Sequence, residues 1–415
     1  MNKWLINTDF AKLWLHSISN ILSNRFRELI LPIIVLGLSG SPLLTSFVLL
    51  SQRISSILFS IPLGTWVEKR NLVLISTICN LIYAMLLFLL ACLITIEDSS
   101  LGIIGIILFL MGFVELILRI TLAAMVPKIV SRDRLLSANN LLEAADAIVT
   151  FIGPALGGVI LATYGPSITL VICGILILFC MIIISLVKYR NENINQKVIM
   201  NRKEKLKNFI NEAREGVDYL YANDSQIVST ISAVVLGFTT VFIELTIIIH
   251  AKTALHFTET SIGILLSCAG IGNIIGVLIM PRFKRINWLY LLSSLLMISS
   301  LGILLLTSHQ FIIMCIGMVI FDGALSMAFV VQITVQQGIT PDQLIARVRS
   351  AIIVLSGVAT IMGTLLSGLI SEWDSNLALI LGFIVLLLCG IFILKYKQQG
   401  VTMNKIQPIY HRVKE

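Results

Sequence analysis

Long apolar blocks alternate with short polar connections along the whole chain, and this pattern predicts the elements. Twelve helices are expected, at roughly 11–37, 43–66, 72–96, 101–126, 137–161, 166–188, 226–250, 260–280, 287–307, 310–337, 342–369 and 376–396. Each block is about 20 residues or longer, the length that crosses about 30 Å of hydrocarbon. The runs are continuous rather than alternating, which argues against membrane barrel strands, whose every second side chain faces a polar lumen. Met1–Phe10 is polar and lacks the pattern of a cleavable signal, so the first block is expected to be retained.

The connections alternate in character. Lys69 and Arg70 follow the second span, Lys128, Arg132 and Arg134 the fourth, and Arg282, Lys284 and Arg285 the eighth; Arg347 and Arg349 open the eleventh. The opposite connections hold Glu97, Asp98, Glu259, Glu372 and Asp374, with Lys252 as their only base. The positive-inside rule then puts both termini and the long basic link 189–225 in the cytoplasm. Within that link Leu206, Ile210, Ala213, Val217 and Leu220 recur at helical spacing, so an amphipathic helix on the inner membrane surface is expected. A plain tether between two halves is the simpler reading.

Composition fits this picture. The 415 residues are 57% hydrophobic and only 13% charged, against roughly a quarter charged in soluble domains. The net charge of +8 lies on the cytoplasmic rim, where it faces anionic lipid; the bilayer is the expected partner and nucleic acid is not. Cys79, Cys92, Cys173, Cys180, Cys268, Cys315 and Cys389 all fall inside apolar blocks and read as small core residues.

The two halves look related. Ser131-Arg-Asp133-Arg-Leu135 precedes the fifth span and Thr340-Pro-Asp342-Gln-Leu344 the eleventh, while Phe26-Arg-Glu28-Leu29 in the first span resembles Phe242-Ile-Glu244-Leu245 in the seventh. The expected domains are a six-helix bundle over 1–188, the link 189–225, a second bundle over 226–396 and a cytoplasmic tail over 397–415. Six spans plus six is the internal repeat of one major transporter architecture.

With these features the chain resembles the major facilitator superfamily along nearly its whole length. Gly64-Thr-Trp-Val-Glu68-Lys69-Arg70 looks like the family signature after the second helix, with Glu in place of Asp, Lys in place of Arg, and Leu72 and Val73 where a later basic pair usually stands. The resemblance implies an inner latch between the second and eleventh helices, weakened by those departures; Met280 stands at the corresponding acidic position of the second half. Gly153-Pro154-Ala-Leu-Gly157-Gly158 resembles the family's antiporter motif, associated with exporters, although an ordinary Gly-rich packing face reads the same way. Val126-Pro127 and Ser137-Ala-Asn139-Asn140 add similarity to the exporter branch that includes bacterial macrolide and siderophore efflux proteins. The resemblance implies an all-α fold of two pseudo-symmetric six-helix bundles in a cell membrane, in a bacterium, with a monomer expected.

Ionisable residues inside spans are expensive and usually face the bundle interior or a wet cavity. Here they are Arg25, Arg27 and Glu28 in the first span, Arg53 in the second, Glu115 and Arg119 in the fourth, Asp146 in the fifth, Glu244 in the seventh and Asp322 in the tenth. In major facilitators helices one, four, seven and ten line the cavity, which the resemblance assigns to Arg25, Glu28, Glu115, Arg119, Glu244 and Asp322. Arg25 and Glu28 share a helix face, as do Glu115 and Arg119; Arg27 points elsewhere, toward a neighbouring helix. Each pair could simply neutralise itself, and Arg53 could pair with Asp146. Glu28, Glu244, Asp322 and Glu115 are the candidate proton carriers, because desolvation favours the neutral acid and a nearby guanidinium the carboxylate. Arg25, Arg53 and Arg119, with Gln52 beside Arg53, are the candidate substrate ligands, since guanidinium binds carboxylates bidentately. His16 and His309 are expected to be solvated. Trp66, Phe113, Phe151, Phe238 and Phe321 could line an apolar pocket.

No catalytic constellation, metal-ligand spacing or nucleotide-binding loop occurs, so no enzyme, no metal and no cofactor is expected, and the proton gradient is the natural energy source. The expected function is a proton-coupled exporter of a small anionic molecule such as a carboxylate-type siderophore. A macrolide or multidrug pump is the alternative, and a nontransporting membrane receptor the alternative class.

Overall fold

The computed structural model describes residues 7–67, 70–96, 100–130, 134–188, 218–221, 223–283, 285–341, 344–396, 400–403 and 406–409. The helices are α1 (Thr8–Ser39), α2 (Pro42–Val67), α3 (Leu72–Leu93) and α4 (Leu101–Ile129), then a long element Leu135–Ser185, then α7 (Asp224–Thr253), α8 (Glu259–Ile279), α9 (Trp288–Leu306), α10 (Phe311–Ile339), α11 (Ile345–Trp373) and α12 (Ser375–Leu394). Straight, 51 residues would run about 76 Å, far more than a bilayer is thick. The element is broken at Gly165, whose φ of 79° and ψ of 174° leave the helix, a conformation open to glycine alone. Pro166 then starts the next helix with its fixed φ. The two parts are α5 (135–164) and α6 (166–185), and the twelve spans expected from the sequence are all present.

Among the described residues, nine helical segments are long and apolar enough to cross a membrane, the segment Leu141–Ser185 being one of them. Polar side chains cap helix starts where the sequence changes from polar to apolar: among them, Asn7 accepts from the Phe10 amide, Asn71 from Leu74, Asn223 from Gln226 and Asn287 from Leu289.

Packing divides the chain into two compact units. The first comprises Met1–Glu192, Ile247–Gly270 and Ser367–Ser375; the second comprises Asn193–Thr246, Ile271–Leu366 and Asn376–Glu415. In the first unit, α1 runs alongside both α5 and α6. Trp14 Nε1 donates to Leu141 O at 2.9 Å, and Gly153 backs onto Arg25, so α1 and α5 run in the same direction. His16 O accepts from Cys180 Sγ and Ser23 Oγ donates to Cys173 O, so α6 runs the other way. Asp9 closes this trio at one end, accepting from Lys12 Nζ at 2.8 Å and from the Lys188 amide at 3.2 Å.

Close helix approach needs small residues, because lipid supplies no hydrophobic drive between helices. The α5–α8 contact of the first unit shows why glycine is required. A Cβ on Gly158 would lie 2.5 Å from Glu259 O, and one on Gly263 would meet the Pro154 carbonyl. Ser267 Oγ accepts the Ala155 amide across the same contact at 2.8 Å.

In the second unit the end of the central link is docked. Tyr219 and Leu220 are buried with Val348 against Leu344, Ala351, Ile352 and Leu355 of the α11 region. Leu206, Ile210, Ala213 and Val217 lie outside the described residues, so only the last turn of the expected amphipathic helix is seen. Described residues of the C-terminal tail are held at several points. Val401 O accepts the Trp288 amide, Ile286 O the Met403 amide and Ile339 O the Ile409 amide. Tyr219 OH donates to Ile409 O at 2.7 Å.

Candidate functional site

Five helices of the first unit bring their polar side chains together. From α1, Arg25 Nη1 lies 2.8 Å from Glu28 Oε2, and Asn24 Nδ2 donates to Glu28 Oε1 at 2.9 Å. The α1 pair expected from spacing is therefore formed. Arg25 Nη2 also reaches Asp146 Oδ1 on α5, at 3.5 Å. Gly153, about two turns further along α5, makes room: its Cβ would stand 2.9 Å from Arg25 Cβ.

Arg27 turns to the other side, as its 100° offset requires. Its side chain is only 3% exposed, yet it is charged. Nε donates to Ser23 O at 3.3 Å and Nη2 to Asn24 Oδ1 at 3.0 Å, and the guanidinium lies 4.7 Å from the centroid of the Tyr83 ring on α3. Its counter-ion is Glu115 on α4, with Nη1 3.7 Å from Oε2. The same Oε2 accepts Gln52 Nε2 from α2 at 2.9 Å and Tyr83 OH at 3.5 Å.

These contacts correct three expectations. Glu115 does not pair with Arg119, although the two share a face; Arg27, Gln52 and Tyr83 converge on its carboxylate from three helices, and Arg119 is exposed. Asp146 does not pair with Arg53, because Arg25 already occupies it. Arg53 is half-buried, and neither it nor Arg119 makes an ion pair or hydrogen bond among the described residues. Gln52 turns its amide to Glu115, so its first role is holding that carboxylate.

The remaining candidates are scattered. Glu244 on α7 and Asp322 on α10 are half-buried in the second unit, where Asp322 accepts Asn273 Nδ2 from α8 at 2.8 Å. Glu68 and Lys69 lie outside the described residues. Gly64 sits in α2, and Arg70 is exposed, its guanidinium 5.9 Å from the Trp66 ring centroid. Gly157 packs on the Phe26 ring, its Cβ position 3.0 Å from that ring, while Pro154 and Gly158 serve the α8 contact. The antiporter-like segment thus has two packed faces, one toward α1 and one toward α8.

Three lesser expectations fail. His16 is buried, 2% exposed, with Nε2 3.4 Å from Asn80 Nδ2, because the α1–α6 contact covers it. Phe321 is buried against Gly302 of α9 and lines no open space. Cys92 is exposed rather than core. His309 is exposed as expected.

Sequence reading missed Asn24, Tyr83 and Asn273, all uncharged partners of the charged set. A polar residue one turn from a charge in an apolar span is the signal that would have found Asn24. For Tyr83 and Asn273 only the fold brings the partner near.

Residues 4–412 match the profile of the transmembrane secretion effector family. The chain belongs to this family of major facilitator transporters. No curated protein sequence matches it. Among solved structures, this transporter is similar to a mutant of the nucleoside transporter NupG, with a TM-score of 0.74 and 14% identity over 94% of this chain and 99% of that one. It is also similar to a bacterial homologue of the human lysosomal transporter Spinster, with a TM-score of 0.72 and 12% identity over 96% of this chain and 98% of that one. A bacterial homologue of the iron transporter ferroportin gives a TM-score of 0.72 and 15% identity, over 94% and 98%. At such identities the likeness carries the fold, which is the major facilitator fold, and this chain is a multi-pass membrane transport protein.

Proposed function

We propose that this transporter is a proton-coupled exporter working by alternating access, with an anionic organic acid as its substrate. One observation supports the reading most: two arginines of α1, Arg25 and Arg27, are shared among three carboxylates, Glu28, Asp146 and Glu115, while Arg53 and Arg119 make no such contact among the described residues. Three acids against two bases leave one carboxylate in excess, and an acid that can exchange a guanidinium contact for a proton is what antiport coupling needs. Glu28 and Glu115 are the carriers in the first unit, Asp322 and Glu244 those in the second. The uncommitted guanidinia of Arg53 and Arg119 would take the substrate carboxylates, a carboxylate-type siderophore being the preferred candidate.

The energy source is the proton gradient, with no organic cofactor or metal. The transporter is placed in a bacterial cell membrane as a monomer, with both termini in the cytoplasm, in line with the loop charges. A macrolide or other drug substrate is a second reading, favoured by aromatic side chains that are not fully buried, Phe113 packed edge-on to Phe59, Phe238 stacked on Phe242, and the exposed Phe151.

Uptake of labelled substrate into everted vesicles with an acidic lumen tests the proposal. Accumulation of a citrate-type siderophore that collapses with the gradient, falls with Arg53→Ala and loses its gradient dependence with Asp322→Asn is the expected result. Uptake indifferent to the gradient overturns the coupling. Accumulation of macrolides alone transfers the substrate to the second reading.

A further inference from the structure

The second unit contains a cavity of about 250 Å³ between α7, α10 and the first half of α11. None of the charged side chains of the first-unit site lines it, and neither does Glu244 or Asp322. Its apolar walls are Phe329 and Ile333 on α10 and Val348 and Ile352 on α11, and its open side carries the exposed Arg349. One wall is polar in a directed way. Gln332, 3% exposed, and Gln336, 9% exposed, stand one helical turn apart on α10.

The orientation of these two amides follows from a fixed acceptor. The Ser229 carbonyl can only accept, so Gln332 turns Nε2 toward it, at 3.3 Å. The same Nε2 donates to Gln336 Oε1 at 2.8 Å. Turning the Gln336 amide over would set NH₂ against NH₂, so the hydrogen-bond chain assigns Oε1 to this contact. That leaves Gln336 Nε2 with two hydrogens and no acceptor, buried in the cavity wall. A buried donor without an acceptor is costly, and such groups normally find one. Thr340 does not supply it: its hydroxyl donates to Gln336 O and accepts from Gln226 Nε2, and Gln336 Nε2 is left without a partner.

We infer that this cavity is a second ligand site, for a small amphiphile with a carboxylate head: its oxygens accept from Gln336 Nε2 and Arg349, and its apolar body lies on Phe329, Ile333, Val348 and Ile352. Among the described residues the Gln336 amide is the buried unpartnered group there, Arg349 is the charged one, and no acidic side chain lines the space. A cationic head would meet Arg349 and an amide N–H pointing the wrong way. At about 250 Å³ the space is somewhat below the 300–1,000 Å³ usual for drug sites, which suits a short acyl chain or a single aromatic ring. The inference is independent of proton coupling and of transport direction, since it concerns binding in the absence of a gradient.

The test is binding of radiolabelled decanoate to the full-length protein in nanodiscs of zwitterionic lipid, with empty discs subtracted. Displaceable binding is expected, with decanol competing more weakly and decylamine not at all. Gln336→Leu should weaken decanoate about tenfold, the usual scale for a hydrogen bond to a charged group. Arg349→Gln should erase the preference for decanoate over decanol. Ile333→Trp, at the exposed edge, should block binding and guards against a Gln336→Leu protein that misfolds. Competition by hexanoate points to a ligand arriving from water, and competition by palmitate to one arriving from the bilayer; either supports the site. Decylamine competing as well as decanoate, or all three variants binding decanoate like the parent, overturns it.

Discussion

Glu372, in the last turn of α11, holds Ser41 at the start of α2: Ser41 Oγ donates to its Oε2 at 2.6 Å, and the Leu43 amide donates to the same oxygen at 2.9 Å. A carboxylate thus sits on the positive end of a helix and satisfies one of its free amides. The sequence signature after α2 implied an α2–α11 latch at Glu68; a clasp between these same two helices is formed at the opposite end of α2. Removing it with Glu372→Ala should lower stability by about 1–2 kcal/mol, the range for a lost N-cap. Ser41→Ala should cost a similar amount, because its hydroxyl also accepts the Leu44 amide at 3.2 Å, although the Leu43 contact remains. Thermal melting of the purified protein, followed by intrinsic fluorescence, checks both.

In the Arg27–Glu115 ion pair the guanidinium side chain is only 3% exposed, and the two energies should be strongly coupled. Glu115→Gln leaves the sealed guanidinium without its counter-ion and should cost about 2–3 kcal/mol. That is below the 3–5 typical of fully buried pairs, because the Glu115 side chain keeps 36% of its exposure. Arg27→Leu should be similarly damaging, and Arg27→Leu with Glu115→Gln less damaging than the sum. A double-mutant cycle on melting temperature measures the coupling, and strict additivity would contradict the pairing.

Gly158→Ala should destabilise, because the new methyl would have to displace the α8 backbone at Glu259 O. Gly37→Ala is the control, since a Cβ there meets nothing within 4 Å. It should be neutral or slightly stabilising, as alanine favours helix by about 1 kcal/mol over glycine. Melting curves of the two variants should move in opposite directions or differ by several degrees.

Tyr219 fastens the C-terminal tail to the end of α10 through Ile409 O and Ile339 O. Burial pushes its phenol above the ordinary tyrosine value, so it remains a donor through the physiological range. The sign follows: the contact is present below the unfolded pKa of about 10 and is lost only as the pH rises through the higher folded value. Tyr219→Phe should loosen the tail around Ile409 at neutral pH, the backbone bonds of Val401, Met403 and Ile409 remaining, and increase the rate at which trypsin cleaves within 397–415. Equal cleavage rates in the two proteins would rule out this fastening.

The spans and the Arg25–Glu28 pair were legible because each depends on spacing within one segment. Continuous apolar runs mark helices, and i, i+3 neighbours meet regardless of what surrounds them. The partners of Glu115 were not legible. Arg119 is four residues away and Arg27 eighty-eight, yet the tertiary contact prevails, because α1, α2 and α3 each present a donor to one oxygen. The same holds for Asp146, which Arg25 takes from Arg53. The Gln332–Gln336 chain was missed for a different reason: in an apolar span attention falls on charges, and an uncharged amide pair is read as neutral background. His16 shows the reverse error, a polar residue assigned to water from its position near a helix end and then covered by α6.

The hairpin at Gly165 has a mechanical consequence. With α5 on one flank and α6 on the other, α1 is gripped along its length and fastened at its start by Asp9. These three helices form one block, and any stress on α1 is borne by all three. Arg25 and Asp146 both belong to the block and keep each other through any displacement of it. Arg27 and Glu115 belong to opposite sides of a seam, with α4 across from the block, so this is the bond that a shear between them would load first.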